Sequence, residues 1–273
     1  MPPIPALFVL PITPAGRITC TQPSPRVYLL TFESPPDNRM TPAFCDTFLL
    51  ALDILDHRFP KGVVVTTSGI QKFYSNGLDY ESAIKTKGFF GEILYPVWRR
   101  LLTYPMPTLA VMPGHAFAAG FMTVMMHDYR IMNPHRGYLC LNELDFGAPL
   151  QPPMASIFRQ KVPSPNTYRT IVLESKRIGA LEGMKEGLLD SVGGVEEAIT
   201  LIQEMRLLDR AKSGVYGRLK HEMWGETVSL LEDYKDSEHK ERADRERQKT
   251  RKEQELYRVE QWESKTKTSK SKL

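Results

Sequence analysis

Disulfide chemistry has little to work with in this chain. Its 273 residues hold three cysteines, Cys20, Cys45 and Cys140, far apart and odd in number. That spacing fits neither a disulfide framework nor a metal-ligand cluster, and it points to a reducing compartment. No apolar run reaches the length of a membrane span. Charge of one sign is also lacking, since 36 basic and 32 acidic residues leave a formal charge of +4. No basic stripe interleaved with aromatics marks the core for nucleic acid, so no such partner is expected. The opening MPPIPALFVLPITPAG is broken by prolines and lacks the basic flank of a signal peptide. What remains is 41% hydrophobic and 25% charged. That composition suits a globular protein with one sizeable core and an accessory segment.

Residues 1–26 are proline-rich and are expected to be irregular up to a first strand at Val27–Phe32. Thr41-Pro42 then reads as a helix start, threonine at the N-cap and proline at the first helical position. Phe44, Phe48, Leu52 and Leu55 fall on one side of that helix, which should end near His57. Val63–Thr67 reads as a strand buried on both faces. A strand–helix–strand order of this kind argues for α/β layering. A helix from about Phe89 to Leu102 precedes the next strand. Further on, helices are expected near Met154–Lys161, Ser164–Glu174 and Ala180–Glu186, with longer amphipathic ones at Val195–Lys212 and Tyr216–Leu231. From Glu232 to about Glu260 the chain is mostly Glu, Lys, Arg and Asp, a solvated helix or a disordered tail.

The most informative stretch runs from Thr108 to Glu143. A buried strand, Thr108–Met112, enters a Pro-Gly turn and then a run of small residues, Ala116, Ala118, Ala119 and Gly120, that starts an apolar helix ending near His127. A strand at Asp128–Met132 follows. After a turn, a third strand or a loop delivers Glu143. An earlier turn, Ser75-Asn76-Gly77-Leu78-Asp79, also follows a buried strand and precedes a helix, with Asn76-Gly77 at a tight bend and Asp79 as a helix cap. If both strands share a sheet, one N–H from each turn could converge on a single oxygen, the geometry of an oxyanion hole. A carboxylate beside that pair could handle a proton. Asp145 is an open candidate for a second acid. His115 reads as structural, because no serine or cysteine nucleophile has a matching partner. His221-Glu222 lacks the second histidine of a zinc-binding helix.

These same residues carry a family resemblance. Phe73–Asp79 and Pro113–Gly120 resemble the two signature loops of the crotonase (enoyl-CoA hydratase/isomerase) superfamily. His127–Met132 is similar to the strand after the second loop, and Pro36-Asp37-Asn38-Arg39-Met40 to the family's early Pro-x-x-Asn turn. The likeness spans about Val27 to Leu231, and Arg136–Asp145 is most similar to Δ3,Δ2-enoyl-CoA isomerases, especially peroxisomal ones. The resemblance implies an α/β spiral of ββα units over 27–195 with a helical C-terminal segment, 196–231; composition sets off the charged tail, 232–273. It implies oxyanion donors at the Leu78 and Ala119 amides, and a catalytic acid at Glu143. Ser75, Asn76, Gly77, Leu78, Asp79 and Ala119 would bind an acyl-CoA thioester, whose adenosine lies over the first loop. Where hydratases carry a second glutamate, three residues after the second donor, this chain has Met122. That departure favours moving a double bond over adding water, which needs two carboxylates. Leu141, Leu144 and Phe146 are expected to keep Glu143 dry.

Neither a metal nor a redox cofactor is expected, CoA being part of the substrate. A homo-oligomer, trimer or hexamer, is implied as well. Ser271-Lys272-Leu273 has the form of a peroxisomal address, so the import receptor is an expected partner and the peroxisome the expected location. Two alternatives remain: an enoyl-CoA hydratase or other acyl-CoA thioester enzyme of a secondary pathway, and a non-catalytic acyl-CoA binding protein.

Overall fold

The computed structural model describes residues 4–270, so the expected targeting signal Ser271–Leu273 lies outside the described residues. The chain divides into two units, 1–232 and 233–273. The first is built on two sheets. Strands β1 (Ala6–Pro11), β2 (Arg17–Ser24), β3 (Val27–Glu33), β4 (Val63–Ser68), β6 (Thr108–Met112), β8 (Tyr129–Met132) and β10 (Ser191–Val192) lie in that order in the larger sheet. It is antiparallel from β1 to β3 and parallel from β3 onward. Strands β5 (Phe73–Ser75), β7 (His115–Phe117) and β9 (Leu139–Cys140) form a small parallel sheet. Each pass of the chain therefore gives one strand to the large sheet and the next to the small one. This is the expected spiral of ββα units.

The buried strands match their composition. β4 and β6 are buried at every position, as strands covered on both faces must be. Helix α1 (Pro42–Arg58) starts where the caps placed it, with Thr41 Oγ1 accepting the Phe44 N–H at 3.2 Å. Its Phe44 and Phe48 meet Phe32 of β3 edge-on, at centroid distances of 5.2 and 4.9 Å. After α2 (Tyr80–Lys85), a turn of π-helix at Phe89–Leu94 runs into α3 (Tyr95–Leu102). Next come α4 (Ala119–Met126) and α5 (Glu143–Phe146), then α6 (Pro152–Lys161), α7 (Pro165–Leu173) and α8 (Ala180–Lys185).

Several expectations need correction. The segment expected to be irregular, 1–26, is largely strand over its described residues, because β1 and β2 form an antiparallel hairpin that extends the sheet through β3. Ile18 and Cys20 face inward and are fully buried. Pro11 ends the edge strand β1, Pro14 and Pro25 lie in turns, and Pro23 falls where the β2–β3 register shifts, so none breaks a regular ladder. Asp79 precedes α2 but makes no side-chain cap. The long C-terminal helices are broken into α9 (Val195–Glu204), α10 (Leu207–Arg210), α11 (Tyr216–Met223) and α12 (Gly225–Glu232). At the first break Arg206 adopts a left-handed conformation. The redirected chain seats Leu207 with Ala198 and Ile202 against Val63, Val65, Leu109 and Val111. Tertiary burial outweighs the periodicity there.

A buried ion pair ties α11 to the sheet. Lys220 Nζ lies 2.9 Å from Asp128 and donates to the Leu101 carbonyl at 2.7 Å, and Asp128 also accepts from the Thr108 N–H. The second unit consists of one helix, α13 (Tyr234–Lys270), of 37 residues. This settles the tail as a helix over its described length. Among the described residues, no helix is long and apolar enough to cross a membrane.

Candidate active site

The two signature loops leave the small sheet side by side, at the ends of β5 and β7. Contact between them is main chain on main chain. A Cβ on Gly77 would stand 3.0 Å from the Phe117 carbonyl oxygen and 3.2 Å from the Ala119 nitrogen, and Gly77 itself has φ +81°. One placed on Gly120 would stand 2.5 Å from the Ser75 carbonyl oxygen. Only glycine allows this approach without displacing a loop. Gly77, the residue before Leu78, is thereby brought against Ala119. Ala119 is the first residue of α4, where N–H groups have no partner within the helix. Just before it, Ala118 holds φ 49° and ψ −125°, a conformation costing about 1–3 kcal/mol and kept only where its surroundings enforce it.

The early turn at 36–40 enforces the shape of the first loop. Buried Asn38 accepts the Ser34 N–H at 2.7 Å through Oδ1, and its amide donates to Ser68 Oγ at 2.7 Å and the Tyr74 carbonyl at 3.1 Å. Ser75 Oγ donates to the Asn38 carbonyl at 2.8 Å and accepts the Gly77 N–H at 3.2 Å. Asn76 donates to Asp37 Oδ2, the Met40 N–H to the Gly77 carbonyl, and Arg39 to the Leu78 carbonyl at 3.1 Å. The carbonyls of residues 77 and 78 are thus both engaged by the turn. Of the expected binding residues, Ser75 and Asn76 serve this internal frame, while Asp79 is exposed beside it. Periodicity carries no trace of these bonds, most of which join residues 30 to 39 positions apart. The resemblance of Pro36–Met40 to a family turn was their only signal.

The second loop is held by the strand that leads to Glu143. The Ala116 N–H donates to the Tyr138 carbonyl at 3.0 Å and the Ala118 N–H to the Cys140 carbonyl at 2.9 Å. Three residues later Glu143 begins α5, a single helical turn in place of the expected strand or loop. The side chain of Glu143 is 9% exposed, and its Oε2 is buried with no hydrogen-bond partner. Burial accordingly lifts the carboxyl pKa from its usual 4.5 to about 7, because the charged form loses more hydration than the neutral one. Leu141 is buried behind it. Leu144 and Phe146, at 56% and 47% exposure, face outward and do not dry it as expected.

Asp145 is exposed as well, and two positions along a helix fall on opposite faces, not on one face as along a strand. It does not join Glu143 as a second acid. Met122, one turn into α4, is buried. His115 stacks on Tyr138 at 5.7 Å and meets the Phe117 and Phe73 rings. Burial, and then the charges of Lys72 and Arg177, push its pKa down, which agrees with a structural role.

A ββα spiral with two glycine-paired loops beside a buried carboxylate defines a protein of the crotonase fold. Residues 23–264 match the enoyl-CoA hydratase/isomerase family, and the chain belongs to that family. It is 32% identical to the peroxisomal enoyl-CoA delta isomerase 1 of Arabidopsis thaliana, covering 74% of this chain and 88% of that protein. It is 30% identical to enoyl-CoA delta isomerase 3 of the same plant, over 76% and 92%. Among solved structures, human mitochondrial delta3-delta2-enoyl-CoA isomerase superposes with a TM-score of 0.70 at 20% identity, covering 81% of this chain and 88% of that one. That last likeness is one of fold.

Proposed function

We propose that the protein is a Δ3,Δ2-enoyl-CoA isomerase that converts 3-enoyl-CoA into trans-2-enoyl-CoA by a one-glutamate proton shuttle. The observation that carries this reading is the buried carboxyl of Glu143, whose Oε2 has no hydrogen-bond partner, with buried Met122 standing where a second acid would be. In the proposed reaction the thioester carbonyl accepts from the Leu78 and Ala119 N–H groups. Glu143 takes a proton from C2, and the electrons spread over the dienolate as negative charge on that oxygen. The two amides stabilise this charge more than they stabilise the neutral carbonyl, which is what lowers the barrier. Glu143 then returns the proton to C4 as the double bond settles between C2 and C3. A carboxyl poised near pH 7 both takes and gives up a proton readily. The adenosine of CoA is assigned to the outer side of the Ser75–Asp79 loop.

Relatives named as peroxisomal support the peroxisome as the working location, with oxidation of unsaturated fatty acids as the role. A fluorescent fusion of the full chain, with and without Ser271–Leu273, tests this. Val215, Leu219 and Met223 stand four residues apart and exposed around α11, a stripe suited to a second copy in a trimer or hexamer. Light scattering of the purified chain decides between oligomer and monomer.

The direct test is incubation with 3-hexenoyl-CoA. A conjugated 2-enoyl product is expected. Formation of 3-hydroxyacyl-CoA would replace the reading with hydration, and binding without turnover would replace it with a non-catalytic role.

A further inference from the structure

A buried polar chain links the large sheet, the small sheet and α4, and the proposed reaction does not use it. Thr66 of β4, Tyr74 of β5, Thr123 of α4 and His127 at the end of that helix are all buried. Thr66 Oγ1 lies 2.8 Å from the Tyr74 hydroxyl and 2.9 Å from His127 Nε2, and His127 Nδ1 lies 2.9 Å from the Thr123 carbonyl. Thr123 Oγ1 donates to the Ala119 carbonyl at 2.7 Å and accepts from Trp98 Nε1 at 2.8 Å.

The direction of every bond follows from the chemistry. A carbonyl only accepts, so His127 Nδ1 carries the imidazole proton and Nε2 is left to accept. Thr66 must then donate to Nε2. Its one proton is spent there, since the alternative, the Leu109 carbonyl, is farther away at 3.3 Å. Tyr74 is left as the donor to Thr66. Burial holds the His127 pKa down to about 3, so the ring stays neutral.

The polar chain runs from Tyr74, at the head of the first loop, to the Ala119 carbonyl at the start of α4. Tyr74 immediately precedes Ser75 of the first loop, and its carbonyl is held by Asn38. Thr123 lies one turn after Ala119 in α4 and His127 is the residue that ends the helix, so the other end of the chain is the Ala119 carbonyl. We propose that Thr66 and His127 are positioning residues, tying the start of the Leu78 loop to the Ala119 end of α4 through hydrogen bonds that meet at Thr123. This rests on the isomerase reading for the identity of the reaction. The physical ground is that a strained residue, Ala118, and a loop attached to a different strand must keep a fixed spacing during turnover. A directed chain through the core resists sliding of β5 against α4 in a way that apolar packing alone does not.

The test uses three variants. Thr66→Val keeps the shape and removes the hydroxyl, Tyr74→Phe removes the first donor, and Thr66→Ser retains the chain. Two quantities are read: steady-state turnover of 3-hexenoyl-CoA, and the infrared downshift of the thioester carbonyl in bound hexanoyl-CoA. Loosened donors should cost less than the roughly 10²–10³-fold effect of a missing one, so Thr66→Val and Tyr74→Phe are expected to lower kcat about tenfold. KM should stay within about twofold, the downshift should shrink, and Thr66→Ser should match wild type. Folded Thr66→Val and Tyr74→Phe proteins that keep both kcat and the full downshift would overturn the proposal. So would a Thr66→Ser variant as impaired as Thr66→Val. Should Thr66→Val not fold, Tyr74→Phe decides alone. A wild type that shows the downshift without turnover ends the isomerase reading, and the downshift in the variants then judges the positioning role by itself.

Discussion

Replacing Glu143 by glutamine has two consequences of opposite sign. Glutamine is close in shape and cannot take a proton from carbon, so turnover of 3-hexenoyl-CoA should fall by about 10²–10⁴-fold. Stability should rise, and by an amount set by pH. The carboxyl is protonated up to about pH 7 in the folded chain and to its usual 4.5 once unfolded. Near pH 4 both states hold the proton, and the residue neither stabilises nor destabilises the fold through its charge. Between those two values the unfolded chain releases the proton while the folded chain keeps it, so wild-type stability declines as pH rises. Above about pH 7 the folded chain must carry a buried charge, and the deficit is complete. At about 1.4 kcal/mol per pH unit, the gap corresponds to about 1 kcal/mol at pH 5 and about 3 kcal/mol at pH 8. Urea unfolding of wild type and Glu143→Gln at these two pH values reads the difference directly. A stability difference that stays flat between pH 5 and pH 8 would refute the buried-carboxyl argument. Undiminished turnover would refute Glu143 as the base.

Other expectations concern the frame around the site. Gly120→Ala puts a methyl group where the Ser75 carbonyl oxygen lies 2.5 Å away, and it should lower kcat at least about tenfold in a protein that still binds CoA. Asn38→Ala strands the Ser34 N–H and the Tyr74 carbonyl in the interior and should cost about 3 kcal/mol by urea unfolding. Lys220→Met removes the ammonium that faces the half-buried Asp128 and should cost about 3 kcal/mol. Adding Asp128→Asn should recover part of that loss, and a double variant no better than the single would show that the ion pair is not the cause.

Local chemistry made much of the architecture legible before any coordinate. Thr41-Pro42 marked the start of α1 because capping is a property of adjacent residues, and Val63–Thr67 declared a doubly covered strand through composition alone. The paired glycine loops were visible for the same reason, each being a short contiguous signal. What escaped depended on partners distant in sequence. The proline-broken segment 6–24 becomes a hairpin only because β3 offers it an edge. Glu143 sits on a helical turn, not a strand, and that choice alone removes Asp145 from its side and turns Leu144 and Phe146 outward. Asn38 and His127 organise the site through hydrogen bonds across roughly 36 and 61 positions, and no window of sequence displays such a bond.

The close approach at Gly77 and Gly120 has a consequence for how such a protein can change. Under the proposed mechanism, half of the chemistry is performed by peptide groups, and every amino acid except proline supplies the same peptide N–H. No codon can delete that function at position 78 or 119 short of proline, and none can improve it. Variation is instead channelled into the single acidic side chain and into the two positions where a side chain must be absent. A lineage diverging to a new reaction would therefore alter its acids freely, while its glycines stayed in place.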